Sequence, residues 1–134
     1  MSDQNPNNQG SNKKDLSGAA LRTFFNIARD WKLTNSEQMI LLGHIPESTF
    51  YKWKKGLYGK LNHDYLERIS YIIGIYKALQ ILLPNSESSD SWIKKKNGAP
   101  LFNYKSALDR MLSGNVSDIY IVRQYLDTQR GGWS

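Results

Sequence analysis

A short polar and basic segment near the middle of the chain combines the side-chain types that recognise nucleic acid. Its candidate contact residues are Ser48, Thr49, Tyr51, Lys52, Lys54 and Lys55. Hydroxyl groups hydrogen-bond to base edges, whereas ammonium groups neutralise phosphates. A helix in the major groove contacts bases with its N-terminal side chains and phosphates with flanking cations. A polar start followed by lysines therefore predicts a DNA-binding helix.

Two short helices joined by a glycine turn are predicted to position these side chains. Asn35 or Ser36 is expected to cap a first helix that runs through Leu42, because a side-chain oxygen there accepts a free backbone N–H. Gly43 is suited to the left-handed backbone of a sharp turn. Pro46 suits the first turn of a second helix over residues 46–55. The layout is that of a helix-turn-helix.

The spacing of apolar residues divides the second helix into two faces. Phe50, Trp53 and Leu57 recur at intervals of three and four residues and are expected to pack inward. The lysines remain on the outside, and the segment between Phe50 and Leu61 holds four lysines and no acid. Such a local field attracts a phosphate backbone. A helical hairpin with a solvated lysine face is the alternative.

The inventory of catalytic and metal-binding groups is poor. His44 falls in the predicted turn and His63 at a predicted helix start, and neither has a second histidine or a carboxylate pair at metal-ligand spacing. The glycines near Gly56 lack the order of a phosphate-binding loop. We therefore expect no catalytic residue, no metal site, no cofactor and no enzyme activity.

The C-terminal segment carries residue types that anchor protein interfaces. Asp109, Asp118 and Asp127 stand on separate helical turns and suggest surface charges or partner contacts. Arg130 and Trp133 lie close to the end of the chain, and arginine and tryptophan are enriched in interface hot spots. Trp133 could equally fold back onto the core.

Composition limits the chain to one domain, or to two small helical domains that share a core, since it has 134 residues. The net charge of +6 is concentrated around the predicted helix-turn-helix. The sequence has no cysteine, no signal peptide and no long apolar run, which indicates a cytoplasmic protein that does not enter a membrane. Residues 1–15 are polar and are predicted to form a disordered tail.

Helical periodicity and stop signals predict an all-α fold without strands. A first helix is expected over 17–32, a long helix capped by Asn62 over 63–83, and three shorter helices over 86–96, 106–112 and 115–129. Asn115 and Asp118 suggest a capping box at the last of these, with Ile119, Val122 and Leu126 facing inward. The predicted organisation is a tail (1–15), a helix-turn-helix domain (16–61) and a long helix with a C-terminal domain (62–134).

Several segments resemble one family when taken in order. WIKKKNGAPLFNYKSALDRMLSG (92–114) and VRQYLDTQRGGW (122–133) resemble the toxin-binding domain of Xre/MbcA/ParS-type antitoxins. ERISYIIGIYKAL (67–79) is similar to the long connecting helix of that family, and LLGHIPESTFYKWK (41–54) to its helix-turn-helix. Two positions depart from the pattern: Asn103 where relatives often have glycine, and Ser106 where many have proline. Asparagine tolerates a left-handed backbone, so the turn is expected to survive.

The resemblance implies an antitoxin of a type II toxin–antitoxin system. Its N-terminal module would repress its own operon, and its C-terminal module would capture a co-encoded toxin with a RES domain, which consumes NAD. The residues from Arg123 onward would then reach the toxin and obstruct its NAD pocket. The candidate toxin-binding residues are Arg123, Asp127, Arg130 and Trp133.

A stand-alone transcriptional regulator, with C-terminal helices that only dimerise, is the competing hypothesis. Either protein is expected to be a homodimer, because operators usually repeat about one helical turn apart. The apolar stripe of the long helix and the surroundings of Trp92 are the predicted subunit contacts. A toxin gene adjoining this reading frame would distinguish the two hypotheses.

Overall fold

The computed structural model describes the backbone of residues 6–131 and the side chains of residues 16–131. Its helices are α1 (Pro6–Asp30), α2 (Asn35–Leu41), α3 (Glu47–Lys54), α4 (His63–Leu82), α5 (Ser86–Ser91), α6 (Ala107–Met111) and α7 (Val116–Gly131). A 3₁₀ turn, Trp92–Lys94, follows α5. Over this part of the chain the only β feature is an isolated antiparallel bridge between Lys96 and Ser106. The predicted all-α fold is confirmed.

Helix α1 starts earlier than the sequence suggested. It begins at Pro6, so the prediction of disorder is wrong for residues 6–15, while residues 1–5 lie outside the described part. Asparagine, serine and glycine are weak helix formers, but they do not prevent extension. Adding residues to a helix that is already packed avoids the cost of nucleation.

The capping box at the start of α2 is formed by Thr34, the residue that precedes the two predicted caps. Thr34, rather than Asn35 or Ser36, is the N-cap: its side chain accepts from the Glu37 N–H at 3.1 Å, and its own N–H donates to the Glu37 carboxylate at 2.8 Å. Two free donors are thereby satisfied reciprocally. A glutamate three residues after Thr34 is the feature that selects this cap.

The turn between α2 and α3 has the predicted backbone. Gly43 has a φ of +105° and His44 a φ of +58°, and Pro46 stands immediately before α3. Phe50 is fully buried and Trp53 half-buried, as predicted. Leu57, however, is 62% exposed, because α3 ends at Lys54 and the chain turns left-handed at Gly56, so the helical spacing no longer applies.

Helix α4 is the shared centre of the molecule. Asn62 caps it as predicted, accepting from the Tyr65 N–H at 3.2 Å. It packs against α1 and most extensively against α7. Its buried residues, which include Ile69, Ile72 and Ile75, belong to the same apolar core as Phe24 of α1 and Val122 of α7. Truncating a buried isoleucine to alanine typically costs about 2–5 kcal/mol, so α4 stabilises both halves at once.

Helices α5 and α6 are shorter than predicted, whereas α7 extends to Gly131. The helix expected over 86–96 ends at Ser91 and tightens into the 3₁₀ turn. Ser106 caps α6 through a capping box with Asp109. Asn103 has a φ of +50°, which confirms that it replaces glycine in a left-handed position. Ile119, Val122 and Leu126 are buried as predicted.

The expected capping box between Asn115 and Asp118 is not formed. The Asp118 carboxylate accepts instead from the Ser113 hydroxyl at 2.6 Å and from Arg110 Nε at 3.1 Å. The Asn115 side-chain amide donates to the Asp118 carboxylate at 3.5 Å, and the Asp118 N–H donates to the Asn115 backbone carbonyl rather than to its side chain. The Ser113 hydrogen bond, with smaller contributions from Asn115 and Arg110, lowers the pKa of Asp118. The carboxylate therefore ties α6 to α7.

A hydrogen bond between Tyr76 and Asp30 joins α4 to the end of α1, and it predicts a pH effect. The phenol donates to the Asp30 carboxylate at 2.7 Å, which raises the pKa of Tyr76 to about 12. From about pH 10 to pH 12 the unfolded chain loses this proton while the folded chain keeps it, so stability should fall with rising pH. Thermal unfolding of Tyr76→Phe should show a shallower fall. Loss of a bond to a charged acceptor should also cost about 1.5 kcal/mol or more at neutral pH.

Tyr104→Phe is the matched control for this measurement, because the Tyr104 side chain is 74% exposed. It should unfold like the wild type at every pH. If Tyr76→Phe followed the wild-type pH curve, the Tyr76–Asp30 bond would not contribute to stability.

Candidate functional sites

The outer face of α3 presents the side chains predicted to contact DNA. Ser48, Tyr51, Lys52 and Lys55 are exposed, and Thr49 is half-buried on the flank. The Tyr51 ring packs edge-on against Phe50 at 5.4 Å between centroids. Its hydroxyl accepts a hydrogen bond from the Asn35 amide at 3.3 Å, which fixes the phenol against the first turn of α2. The start of α2 and the middle of α3 thus form one continuous polar surface.

Lys54 is positioned differently from the other two lysines. Its ammonium group lies 5.2 Å from the centroid of the Phe50 ring and 5.9 Å from that of Phe25. An aromatic face attracts a cation at such distances. Lys54 is therefore held at the seam between α1 and α3, whereas Lys52 and Lys55 extend from the outer face. The sequence pattern assigned the three lysines to one face, because the contact of Lys54 with Phe25 and Phe50 is formed only in the folded chain.

A second candidate site is an open groove between the C-terminal ends of α4 and α7. Its volume is about 770 Å³, and it is lined by Ile81, Leu82, Arg123, Asp127, Arg130 and Gly131. The fold brings three of the four predicted toxin-binding residues into this groove. Trp133, the fourth, lies outside the described residues.

Arg123 is held against α4 by several contacts. Its Nε lies 3.5 Å from the Asp127 carboxylate, and its Nη1 donates to the Ser70 carbonyl at 3.5 Å. Its guanidinium also stands 5.9 Å from the centroid of the Tyr71 ring. A Cβ on Gly74 would come within 2.5 Å of Arg123 Nε, so the absence of a side chain at Gly74 makes room for the arginine.

The remaining groove residues combine charge with an exposed apolar surface. Arg130 Nη1 lies 4.0 Å from Asp127, so this aspartate stands between two arginines. Ile81 is 58% exposed, which is unusual for isoleucine on an otherwise apolar helix. Ile81 was not identified from the sequence. The helical periodicity of α4 places this isoleucine outside the buried face, and that position could have indicated it. Arginines beside an exposed apolar side chain suit a protein interface.

Neither histidine is arranged for metal binding. In the described residues no cluster of three or more histidine, cysteine, aspartate or glutamate side chains could hold a metal ion. His63 lies 3.9 Å from Glu67 on the surface, and His44 packs against Gly114. Over residues 6–131, no helix has both the length and the apolar character needed to cross a membrane.

Comparison with known families assigns a family domain to each half of the chain. The antitoxin Xre-like helix-turn-helix domain matches residues 11–74, and the antitoxin Xre/MbcA/ParS C-terminal toxin-binding domain matches residues 78–132. The chain belongs to the Xre/MbcA/ParS antitoxin family. Its uncharacterised relative y4oB of Sinorhizobium fredii (strain NBRC 101917 / NGR234) is 52% identical over 114 residues, which cover 85% of this chain and 86% of the relative. No solved structure matches the antitoxin at a significant level.

The two family matches divide the antitoxin inside α4, between residues 74 and 78. Helix α3 lies within the helix-turn-helix match. The groove residues Ile81, Arg123, Asp127 and Arg130 all lie within the toxin-binding match. The candidate DNA-binding surface therefore lies in the helix-turn-helix domain, and the groove lies in the toxin-binding domain.

Proposed function

We propose that this antitoxin binds and neutralises a co-encoded RES-domain toxin, which consumes NAD, and represses its own operon as an operator-bound homodimer in the cytoplasm. The antitoxin itself would perform no chemistry. The observation that carries the proposal is the groove between α4 and α7, because charged and apolar side chains meet there in the toxin-binding domain.

The groove supports neutralisation by physical obstruction. Arg130 and Gly131 line the edge of the groove, and Trp133, two residues further along the sequence, is an aromatic residue of the kind that fills partner pockets. Arg123 and Arg130 would meet acidic or hydrogen-bond-accepting groups around the NAD pocket of the toxin. Blocking the entry of NAD requires only occupancy of that pocket.

The surface of α3 supports operator binding. Its first turns carry the Ser48, Thr49 and Tyr51 side chains, which are suited to base edges, and Lys52 and Lys55 follow on the outer face. Because the toxin-binding groove is built from α4 and α7, the two activities use separate surfaces and should be separable by mutation.

Co-expression with the product of the neighbouring reading frame tests the proposal. The toxin alone should arrest growth and deplete cellular NAD, and the antitoxin should reverse both effects and co-purify with it. A neighbouring product that neither binds the antitoxin nor affects NAD would contradict the proposal. That result would favour a stand-alone regulator.

The homodimer is a separate prediction. An operator with repeats about one helical turn apart requires two DNA-binding domains. The fully buried side chains of α4 pack within the same chain, and the half-buried Trp92 packs on Phe102 and Tyr125, so a subunit contact there would use the parts of these surfaces that stay exposed. Light scattering at about 50 µM should still give twice the chain mass, since even a weak micromolar dimer forms there. A monomer at that concentration would contradict the prediction.

A further inference from the structure

A cluster of lysines lies outside both sites, where the toxin-binding domain meets the start of α2. Lys32, Lys94, Lys96 and Lys105 line one open cavity of about 560 Å³ together with Thr34. All four lysines are exposed. Lys32 follows α1, whereas the other three belong to the segment between α5 and α6, inside the toxin-binding match. We refer to these four residues as the lysine cluster.

Backbone contacts hold the lysine cluster in place. Lys96 and Ser106 form the antiparallel bridge, and the Asn97 N–H donates to the Lys105 carbonyl at 3.0 Å. The Lys94 ammonium group donates to the Lys32 carbonyl at 2.8 Å, so the two halves of the antitoxin are joined at this point. The backbone around Lys96 and Lys105 is therefore ordered, and both residues line the same cavity.

The nearby carboxylates are already committed to helix caps. Glu37 accepts from the Thr34 N–H at 2.8 Å, and Asp109 accepts from the Ser106 N–H at 3.3 Å. Among the ion pairs of residues 16–131, none includes a member of the lysine cluster. The four lysines outnumber Glu37 and Asp109, the two carboxylates that line the same cavity, and this excess of positive charge attracts a polyanion.

The lysine cluster is adjacent to the DNA-binding face. Tyr51 of α3 contacts Asn35, and Asn35 follows Thr34, which lines the same cavity as the lysines. A recognition helix that lies in the major groove has a phosphate backbone running alongside it. A polar surface thus runs from the outer face of α3, over the start of α2, to Lys96 and Lys105.

We infer that the lysine cluster is a second phosphate-binding surface, through which the toxin-binding domain itself contacts the DNA backbone beside the segment read by α3. The inference rests on the proposed operator binding. The lysine cluster adds contacts that strengthen binding to any duplex. These contacts carry no sequence information, because phosphates are the same at every base pair.

Salt-dependent DNA binding tests the lysine cluster directly. Fluorescence anisotropy would use a labelled duplex from the region upstream of the antitoxin reading frame, and a shuffled duplex of the same length. The wild type would be compared with K96Q/K105Q and with the control R29Q/K77Q, which removes the same charge at Arg29 and Lys77, two exposed positions outside the cluster. Circular dichroism should show unchanged unfolding of K96Q/K105Q, because the bridge is made by backbone atoms.

The expected result is a weaker salt dependence for K96Q/K105Q on both duplexes. The slope of log Kd against log [NaCl] should be about 1–2 smaller, since each lost phosphate contact changes it by about 0.9. Affinity near physiological salt should fall roughly tenfold, as expected for loss of two phosphate contacts, with the preference for the upstream duplex unchanged. R29Q/K77Q should keep the wild-type slope.

Equal slopes for K96Q/K105Q and R29Q/K77Q would overturn the inference and leave operator binding by α3 intact. Unchanged DNA binding together with loss of toxin co-purification would also overturn it, because the lysines would then face the toxin. If the wild type did not prefer the upstream duplex, operator recognition would fail, yet the slopes on the shuffled duplex would still decide the role of the cluster. Failure of the wild type to bind either duplex would overturn both proposals.

Discussion

Replacing Lys52, Lys54 and Lys55 with glutamate is expected to abolish operator binding and to leave toxin neutralisation intact. The change removes three cations from α3 and its C-terminal end and places three negative charges there, facing the phosphate backbone. Each lost phosphate contact weakens binding and lowers the salt dependence, and reversal adds repulsion, so affinity should fall more than about a hundredfold. Anisotropy with the upstream duplex measures the first effect, and growth during toxin co-expression measures the second.

The structure ranks the three positions. Lys52→Glu and Lys55→Glu should each weaken DNA binding more than Lys54→Glu, because the Lys54 ammonium group lies over the Phe25 and Phe50 rings. Lys77→Glu, an exposed change on α4, is the single-residue control. A triple variant with wild-type affinity and salt dependence would show that α3 does not read the operator.

Ending the chain at Gln129 should leave a folded, operator-binding antitoxin that protects cells poorly. The truncation removes Arg130 and Gly131 from one edge of the groove, together with Trp133. Burial of an interface tryptophan is commonly worth about 2 kcal/mol or more, so affinity for the toxin should fall at least about thirtyfold. Growth and cellular NAD should be followed while the toxin is co-expressed with each variant.

Arg123→Glu is expected to act in the same direction. It places a carboxylate beside Asp127 and leaves the space over Gly74 without its guanidinium. Part of its effect will be structural, so its thermal unfolding should be compared with that of Arg29→Glu, an exposed charge reversal on α1. Full protection by the truncated chain would mean that the upstream helices obstruct the toxin and that Trp133 does not.

Local sequence signals predicted the elements better than the surfaces between them. Periodicity found the buried residues of α7, and the tolerance of asparagine for left-handed backbone predicted Asn103, because both depend on short-range geometry. The cap at Thr34 was missed because three consecutive polar residues could each cap a helix, and only the pairing with Glu37 selects one. Leu57 was misplaced because periodicity was extended beyond the end of α3.

The features that required the structure join residues distant in sequence. Arg123 lies over Gly74, and the groove adds Ile81 of α4 to charged residues of α7. Lys96 pairs with Ser106 through one bridge, and both Lys96 and Lys105 line a cavity beside the start of α2. Such contacts depend on how helices pack, and no local pattern in a single sequence records that packing.

The continuous α4 helix limits how this family can diversify by recombination. The two family matches meet between residues 74 and 78, where one helix carries buried side chains that serve both halves. A natural chimaera joining the operator-reading half of one relative to the toxin-capturing half of another would have its crossover inside that helix. Ile75, Ala78 and Leu79 would then have to fit neighbours inherited from different parents. Changes in operator and toxin specificity should therefore accumulate by substitution on the outer surfaces more readily than by exchange of whole halves.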